Sequence, residues 1–219
     1  VYSANELKAL ADVVVKHQIL VISDEIYGKL TYGMEHVSIA SFSEDIKALT
    51  LVVNGASKSY SMTGWRIGYT AGPENIIGAM GRIQSHSTSN PTTPAQWAAV
   101  EAFNQNDDAV NEMKKAFDDR RHYMVTTLSN IAGLSCTSPQ GAFYAFPDVS
   151  AFFGKTSPKG KALTGSLDFC EALLEETFVA CVPGAAFGSD KNIRLSYATS
   201  MSDIKEGLER LNVWLSQIS

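Results

Sequence analysis

The sequence predicts an α/β sheet fold over its first half and a smaller α+β unit over its second. Three observations carry this. Apolar residues at helical spacing lead directly into a continuous β-branched and aliphatic run, strand-like runs end in polar residues, and short alternating runs follow a long helix-forming tract. The boundary is placed near residue 108, giving 1–108 and 109–219.

Ser3 followed three residues later by Glu6 is a helix-start signature, and Leu7, Leu10, Ala11, Val14 and Val15 recur at helical spacing behind it. Ile19 to Ser23 reads as a parallel strand covered on both faces, with Asp24 and Glu25 at its C-terminal end. Leu51-Val52-Val53 is a second strand that breaks into Asn54-Gly55-Ala56-Ser57-Lys58, and Arg66 to Gly72 a third. Ligands of such sheets sit beyond the carboxyl ends of the strands, which places Asp24 and Lys58 on that rim. Two helices are expected between about Ala95 and Leu128, with a break at 104–108. Short strands follow near 141–146, 179–182 and 193–197, with a flexible loop at Gly154 to Gly165 and helices near Ser166–Thr177 and Ser202–Ile218.

The 219 residues are 45% hydrophobic and 19% charged, ordinary for a globular protein with a sizeable core. Eighteen Lys and Arg against 23 Asp and Glu give a net charge of −5, which leaves no basic footprint for nucleic acid or an anionic membrane surface. No apolar run reaches the length of about 18 residues that a membrane span needs, and no secretory signal opens the chain, so a cytoplasmic setting is expected. Cys136, Cys170 and Cys181 are odd in number and form no C-x-x-C pair and no cluster with His17, His36, His86 or His122. They read as structural thiols in a reducing compartment, and no metal site is expected.

Three familiar motifs fail. Gly154-Lys155-Thr156 imitates the end of a phosphate-binding loop, but Val149 stands where that loop needs glycine. Gly55-Ala56-Ser57-Lys58-Ser59 lacks the closing glycine of a nucleophile elbow, and no G-x-G-x-x-G follows a strand. Lys58 is more informative. A lysine in a Gly/Ser-rich turn after an apolar strand is placed at a pocket, where a desolvated amine loses its proton and attacks a carbonyl. Asp24 could hold a protonated ring nitrogen and Arg66 could clamp a phosphate. The plainer alternatives are a solvated lysine, a helix N-cap and a surface ion pair. Aldehyde, pyridinium and phosphate partners together are what pyridoxal phosphate requires.

Ser23-Asp24-Glu25-Ile26-Tyr27, the stretch Asn54 to Tyr69 with its S-K-x-x-x-M-T-G-W-R-x-G core, Pro139-Gln140-Gly141-Ala142-Phe143-Tyr144, Val182-Pro183-Gly184 with Phe187-Gly188, and Arg194-Leu195-Ser196-Tyr197-Ala198 closely resemble the class I aminotransferases of fold type I. Within that family the likeness is to bacterial-type aspartate aminotransferases, including those that accept prephenate. It covers essentially the whole chain. The resemblance implies part of a large-domain mixed sheet with flanking helices over 1–108, a smaller α+β domain over 109–219, and pyridoxal 5'-phosphate as cofactor. It implies that Lys58 is the Schiff-base lysine and proton shuttle, that Asp24 keeps the pyridine nitrogen protonated, and that Tyr27 hydrogen-bonds the ring oxygen. Ser57 and Arg66 match phosphate ligands, and Arg194 the arginine that grips the substrate α-carboxylate. Ser85 to Pro91 resembles a dimer-interface segment, implying a homodimer.

The implied reaction moves an amino group from an L-amino acid, aspartate or glutamate, to a 2-oxo acid. A lyase or decarboxylase on the same scaffold is the alternative within enzymes, and a catalytically incomplete dimerisation or binding fragment the alternative outside them. The chain resembles the C-terminal part of the family. A glycine-rich phosphate-binding turn, a ring-stacking aromatic residue, an asparagine on the ring oxygen and a tyrosine lent across the dimer belong to the N-terminal half, so the isolated chain is expected to be inactive.

Overall fold

In the computed structural model, which describes all 219 residues, the chain forms two units, Val1–Glu112 and Met113–Ser219. The first opens with α1 (Ala4–His17), started by a capping box. Ser3 Oγ accepts from the Glu6 N–H, and Glu6 Oε2 accepts from the Ser3 N–H at 2.8 Å, which satisfies two of the donors a helix start leaves over. Gln18 ends it in the left-handed region at φ 52°, and the chain enters β1 (Val21–Asp24). β1 pairs in parallel with β2 (Thr50–Gly55), from Val21 opposite Thr50 to Asp24 opposite Val53. β2 pairs antiparallel with β3 (Gly68–Ala71), ending with Gly55 opposite Gly68. The result is a mixed three-stranded sheet in the order β1-β2-β3.

Ala11 of α1, Ile39 of the 3₁₀ turn Ile39–Ser41, and Ile46 of the four-residue α2 (Glu44–Lys47) are buried together, with Val14, Val15, Val21 and Phe42 packed around them. The expectation of a strand covered on both faces is therefore corrected. Alternation along β1 turns Val21 toward this cluster and Ile22 away from it, and Ile22 is 74% exposed. Two boundaries also move. β2 runs on through Asn54 and Gly55 because β3 supplies their partners Tyr69 and Gly68. Arg66 lies outside β3, in the left-handed region after the 3₁₀ turn Thr63–Trp65. Sequence reasoning missed α3 (Glu74–Ser87), which carries Gly78 and Gly81 in its interior and buries none of its residues. Pro73 ahead of Glu74 was the available start signal.

α4 (Thr93–Asn104) and α5 (Asp108–Ser129) are the two expected helices. The second unit adds β4 (Tyr144–Ala145), α6 (Ser166–Thr177), β5 (Val182–Pro183), β6 (Ile193–Ser196) and α7 (Met201–Leu215). Its three strands run antiparallel in the order β4-β6-β5. Phe169 and Leu173 of α6 and Leu211 and Trp214 of α7 are buried in the core, with the Phe169 and Trp214 rings edge to face at 5.1 Å. Burial of each such side chain contributes about 2 kcal/mol.

The flexible loop expected at 154–165 is instead tied down. Gly154 N–H donates to Leu163 O and Leu163 N–H to Lys155 O, both at 2.9 Å, Thr156 N–H donates to Ser219 O, and Leu163 is fully buried. Composition suggested mobility, but pairing within the loop and the contact of Thr156 with Ser219 hold it. No helix is long and apolar enough to cross a membrane.

Candidate active site

Asp24 ends β1, Lys58 stands three residues beyond the end of β2, and Arg66 stands two residues before β3 begins. Because β1 and β2 are parallel and β3 antiparallel, these three positions lie at one end of one sheet, the end where open α/β sheets bind ligands. The Glu25 N–H donates to Val53 O at 2.8 Å, carrying the ladder one residue past Asp24. Asp24 Oδ1 accepts from the Ile26 N–H at 3.1 Å, an Asx turn that fixes the carboxylate at the rim. Beyond Asp24 the chain makes a turn and enters no helix, so the N-cap alternative for this residue is set aside. Tyr27 sits half-buried in that turn, which is closed by Gly28 N–H to Glu25 O and Leu30 N–H to Tyr27 O.

The turn rests on a residue that sequence reasoning did not single out. Glu25 is 8% exposed, and its carboxylate accepts from Ser23 Oγ at 3.0 Å and Ser38 Oγ at 2.6 Å and pairs with His36 Nε2 at 3.0 Å. A buried carboxylate with this many partners pins the end of β1 to the 36–38 segment. Its only sequence signal was a second acid beside Asp24, since its partners His36 and Ser38 lie 11 and 13 residues away.

Between β2 and β3 the chain makes a compact loop. Ser57 and Lys58 are half-buried, and Ser59 and Met62 are buried. Ser61 and Arg66 both have left-handed φ, 53° and 52°, a conformation that costs a non-glycine residue about 1 kcal/mol or more. Arg66 Nη1 donates to Thr63 O at 2.9 Å, which holds the exposed guanidinium over its own turn rather than in a surface ion pair. The loop closes at a glycine pair. A Cβ on Gly55 would stand 2.9 Å from the Gly68 Cα and 3.0 Å from Ile67 O, so the two strands can approach only without side chains there.

Arg194 lies in the second unit, on β6. Its guanidinium carbon is 4.5 Å from the ring centroids of both Tyr144 and Phe187. Tyr144 pairs with Ser196, so it is a diagonal neighbour of Arg194 on one sheet face, and Phe187 comes from the 3₁₀ turn after β5. Stacking engages the faces of the guanidinium and leaves its N–H edge to fork a carboxylate. Thus Asp24, Tyr27, Ser57, Lys58 and Arg66 gather at one sheet end of the first unit, and Arg194 is built separately in the second. As a donor set, an amine, a carboxylate, a phenol, a hydroxyl and a guanidinium suit a group that bears an aldehyde, a basic ring nitrogen and a phosphate.

The model of the family described as aminotransferase class I and II matches residues 1–211. An aspartate aminotransferase of Bacillus sp. (strain YM-2) is 51% identical over 214 residues, 97% of this chain and 53% of the relative. An asparagine–oxo-acid transaminase of Streptococcus mutans is 46% identical over 99% of this chain and 54% of its own length. The crystal structure of the aspartate aminotransferase from Rhizobium meliloti superposes with a TM-score of 0.95 at 42% identity, covering 100% of this chain and 55% of that one. The chain is a member of the class I and II aminotransferase family and has the fold of its α/β, fold type I enzymes. It spans about half the length of the curated relatives it matches.

Proposed function

We propose that the protein to which this chain belongs is a pyridoxal-phosphate-dependent aminotransferase that exchanges an amino group between an L-amino acid of the aspartate or glutamate type and a 2-oxo acid, acting as a homodimer. The observation that carries the reading is the sheet topology, which sets Asp24, Lys58 and Arg66 at one end of β1-β2-β3. When bound, pyridoxal phosphate supplies an aldehyde that captures an amino group and an electron-withdrawing ring that stabilises charge at the substrate Cα. In this reading Lys58 would hold the group by its aldehyde, and its Nζ would be the base that takes and returns a proton at the substrate Cα. Asp24 would hold a proton on the ring nitrogen, Tyr27 would donate to the ring oxygen, Ser57 and Arg66 would hold the phosphate, and Arg194 would fork the α-carboxylate.

Relatives named for aspartate and for asparagine as substrate support an acidic amino acid or its amide at the side-chain subsite, and the aspartate reading is taken from the more similar one. The test is borohydride reduction of the full-length protein loaded with pyridoxal phosphate, followed by peptide mapping and analysis of the turnover products. A pyridoxyl label on Lys58 together with formation of a 2-oxo acid is expected. A label on another lysine overturns the Lys58 assignment, and carbon dioxide or an eliminated group among the products overturns transamination.

A further inference from the structure

Cys170 and Cys181 are separated by a stretch of α6 and a short link, and the fold brings their Sγ atoms to 3.2 Å, with Cys181 donating to Cys170. We infer that this pair is a dithiol modification site that a hydroperoxide converts reversibly to a disulfide. The pair includes none of the residues assigned to the candidate active site, and its chemistry is independent of the function proposed there.

A disulfide needs the sulfurs at about 2.05 Å, so they must close by roughly 1.1 Å. The structure gives that movement a place. Cys170 is buried on α6 among Phe169, Ala172 and Leu173, whereas Cys181 is only partly buried on the link that leaves the helix. The link starts at Phe178, which caps α6 in the left-handed region at φ 61°, and reaches β5 at Val182. A four-residue connection of this kind shifts more readily than a packed helix. The hydrogen bond from Cys181 also prepares the chemistry, because it outweighs burial at Cys170 and holds that thiol below the ordinary range, while the same bond, with burial, pushes Cys181 up.

The Cys170 thiolate attacks one oxygen of the hydroperoxide, the O–O bond breaks, and the departing oxygen takes a proton to leave as an alcohol or water. Cys170 is then a sulfenic acid. The Cys181 sulfur attacks that sulfur, the S–O bond breaks, and the hydroxyl departs as water with the Cys181 proton. The two thiols lose two electrons, and the hydroperoxide gains them.

Cys136 supplies the internal control. It is partly buried, its thiol donates to the Thr137 carbonyl, and burial raises its pKa. The experiment treats the full-length protein with hydrogen peroxide, alkylates it under denaturing conditions, and cleaves it after glutamate, which cuts between the two cysteines at Glu171, Glu175 and Glu176. Loss of two thiols, a linked peptide pair joining Cys170 to Cys181, and full return with dithiothreitol are expected. The variant C181S should abolish the link and C136A should leave it unchanged. As Cys181 is partly exposed, C181S keeps the buried helix face intact, and circular dichroism checks its fold. The inference is overturned if both cysteines stay alkylatable at peroxide levels that oxidise Cys136, if they become sulfinic acids without linking, or if the link formed includes Cys136.

Discussion

Asp24 and Glu25 are adjacent acids with opposite duties, and the contrast lies in what each touches. Asp24 is exposed at the rim and spends one oxygen on the Ile26 N–H, so its charge is presented outward. Asp24→Asn keeps that acceptor and removes only the charge. Transamination by the full-length protein is expected to fall by several orders of magnitude, with Lys58 still labelled on borohydride reduction. Activity within about tenfold of wild type, roughly 1.4 kcal/mol of barrier, would defeat the ring-nitrogen role. Glu25 faces inward, and Glu25→Ala strips His36, Ser23 and Ser38 of a shared partner. Denaturant unfolding should show a loss of about 3 kcal/mol. A loss below about 1 kcal/mol would mean that the carboxylate does not pin the turn. The motif residues Asp24, Lys58 and Arg66 were legible because strand ends and turn composition are local signals. Glu25 was not, because its role is set by residues on another segment.

At the scale of elements, the loop at 154–165 shows how tertiary anchors override composition. Its Gly, Pro, Ser and Lys content reads as mobile, yet buried Ser157 donates to Glu176 Oε1 at 2.6 Å, and Trp214 Nε1 donates to Glu176 Oε2 at 2.8 Å. One carboxylate thereby joins the loop, α6 and α7. Burial opposes its ionisation, but the two side-chain hydrogen bonds, helped by Lys159, outweigh that and hold Glu176 below the usual glutamate range. A depressed carboxylate contributes stability that is fully present above the unfolded-state pKa and is lost as pH falls through the folded one. The melting temperature of the wild type should therefore drop more steeply than that of Glu176→Gln between about pH 5 and 3, since the unfolded value lies near 4.5. Parallel curves would show that the carboxylate carries no such charge-dependent contribution. The same locality decides which elements were foreseen. α1 declares itself by its capping box and apolar spacing, and α5 by its run of helix-forming residues. β4 and β5 have two residues each, and their pairing with β6 across distant sequence settles their limits.

At the scale of the whole molecule, β1 is the edge of its sheet and displays Ile22, with Leu20 just ahead of the strand, both more than half exposed, on a chain that spans about half the length of its curated relatives. An open edge strand with apolar side chains is a template for further pairing, and such a surface in water favours association or a missing partner segment. The phosphate contacts proposed for this chain come from Ser57 and Arg66, and Arg66 is exposed. Two contacts of this kind leave most of a phosphate's charge to be met by other donors, of which helix N-termini and glycine-rich turns are the usual source. We therefore predict that the 219 residues alone hold pyridoxal phosphate weakly and show no measurable transamination. Adding a separately produced N-terminal half of the full-length protein should restore both a cofactor absorbance band and turnover, and should lower the apparent molecular size if the lone chain self-associates through β1. Full activity from a preparation shown by intact mass to contain only this chain would refute the prediction, because the edge and the phosphate would then have to be completed by a second copy of the same 219 residues.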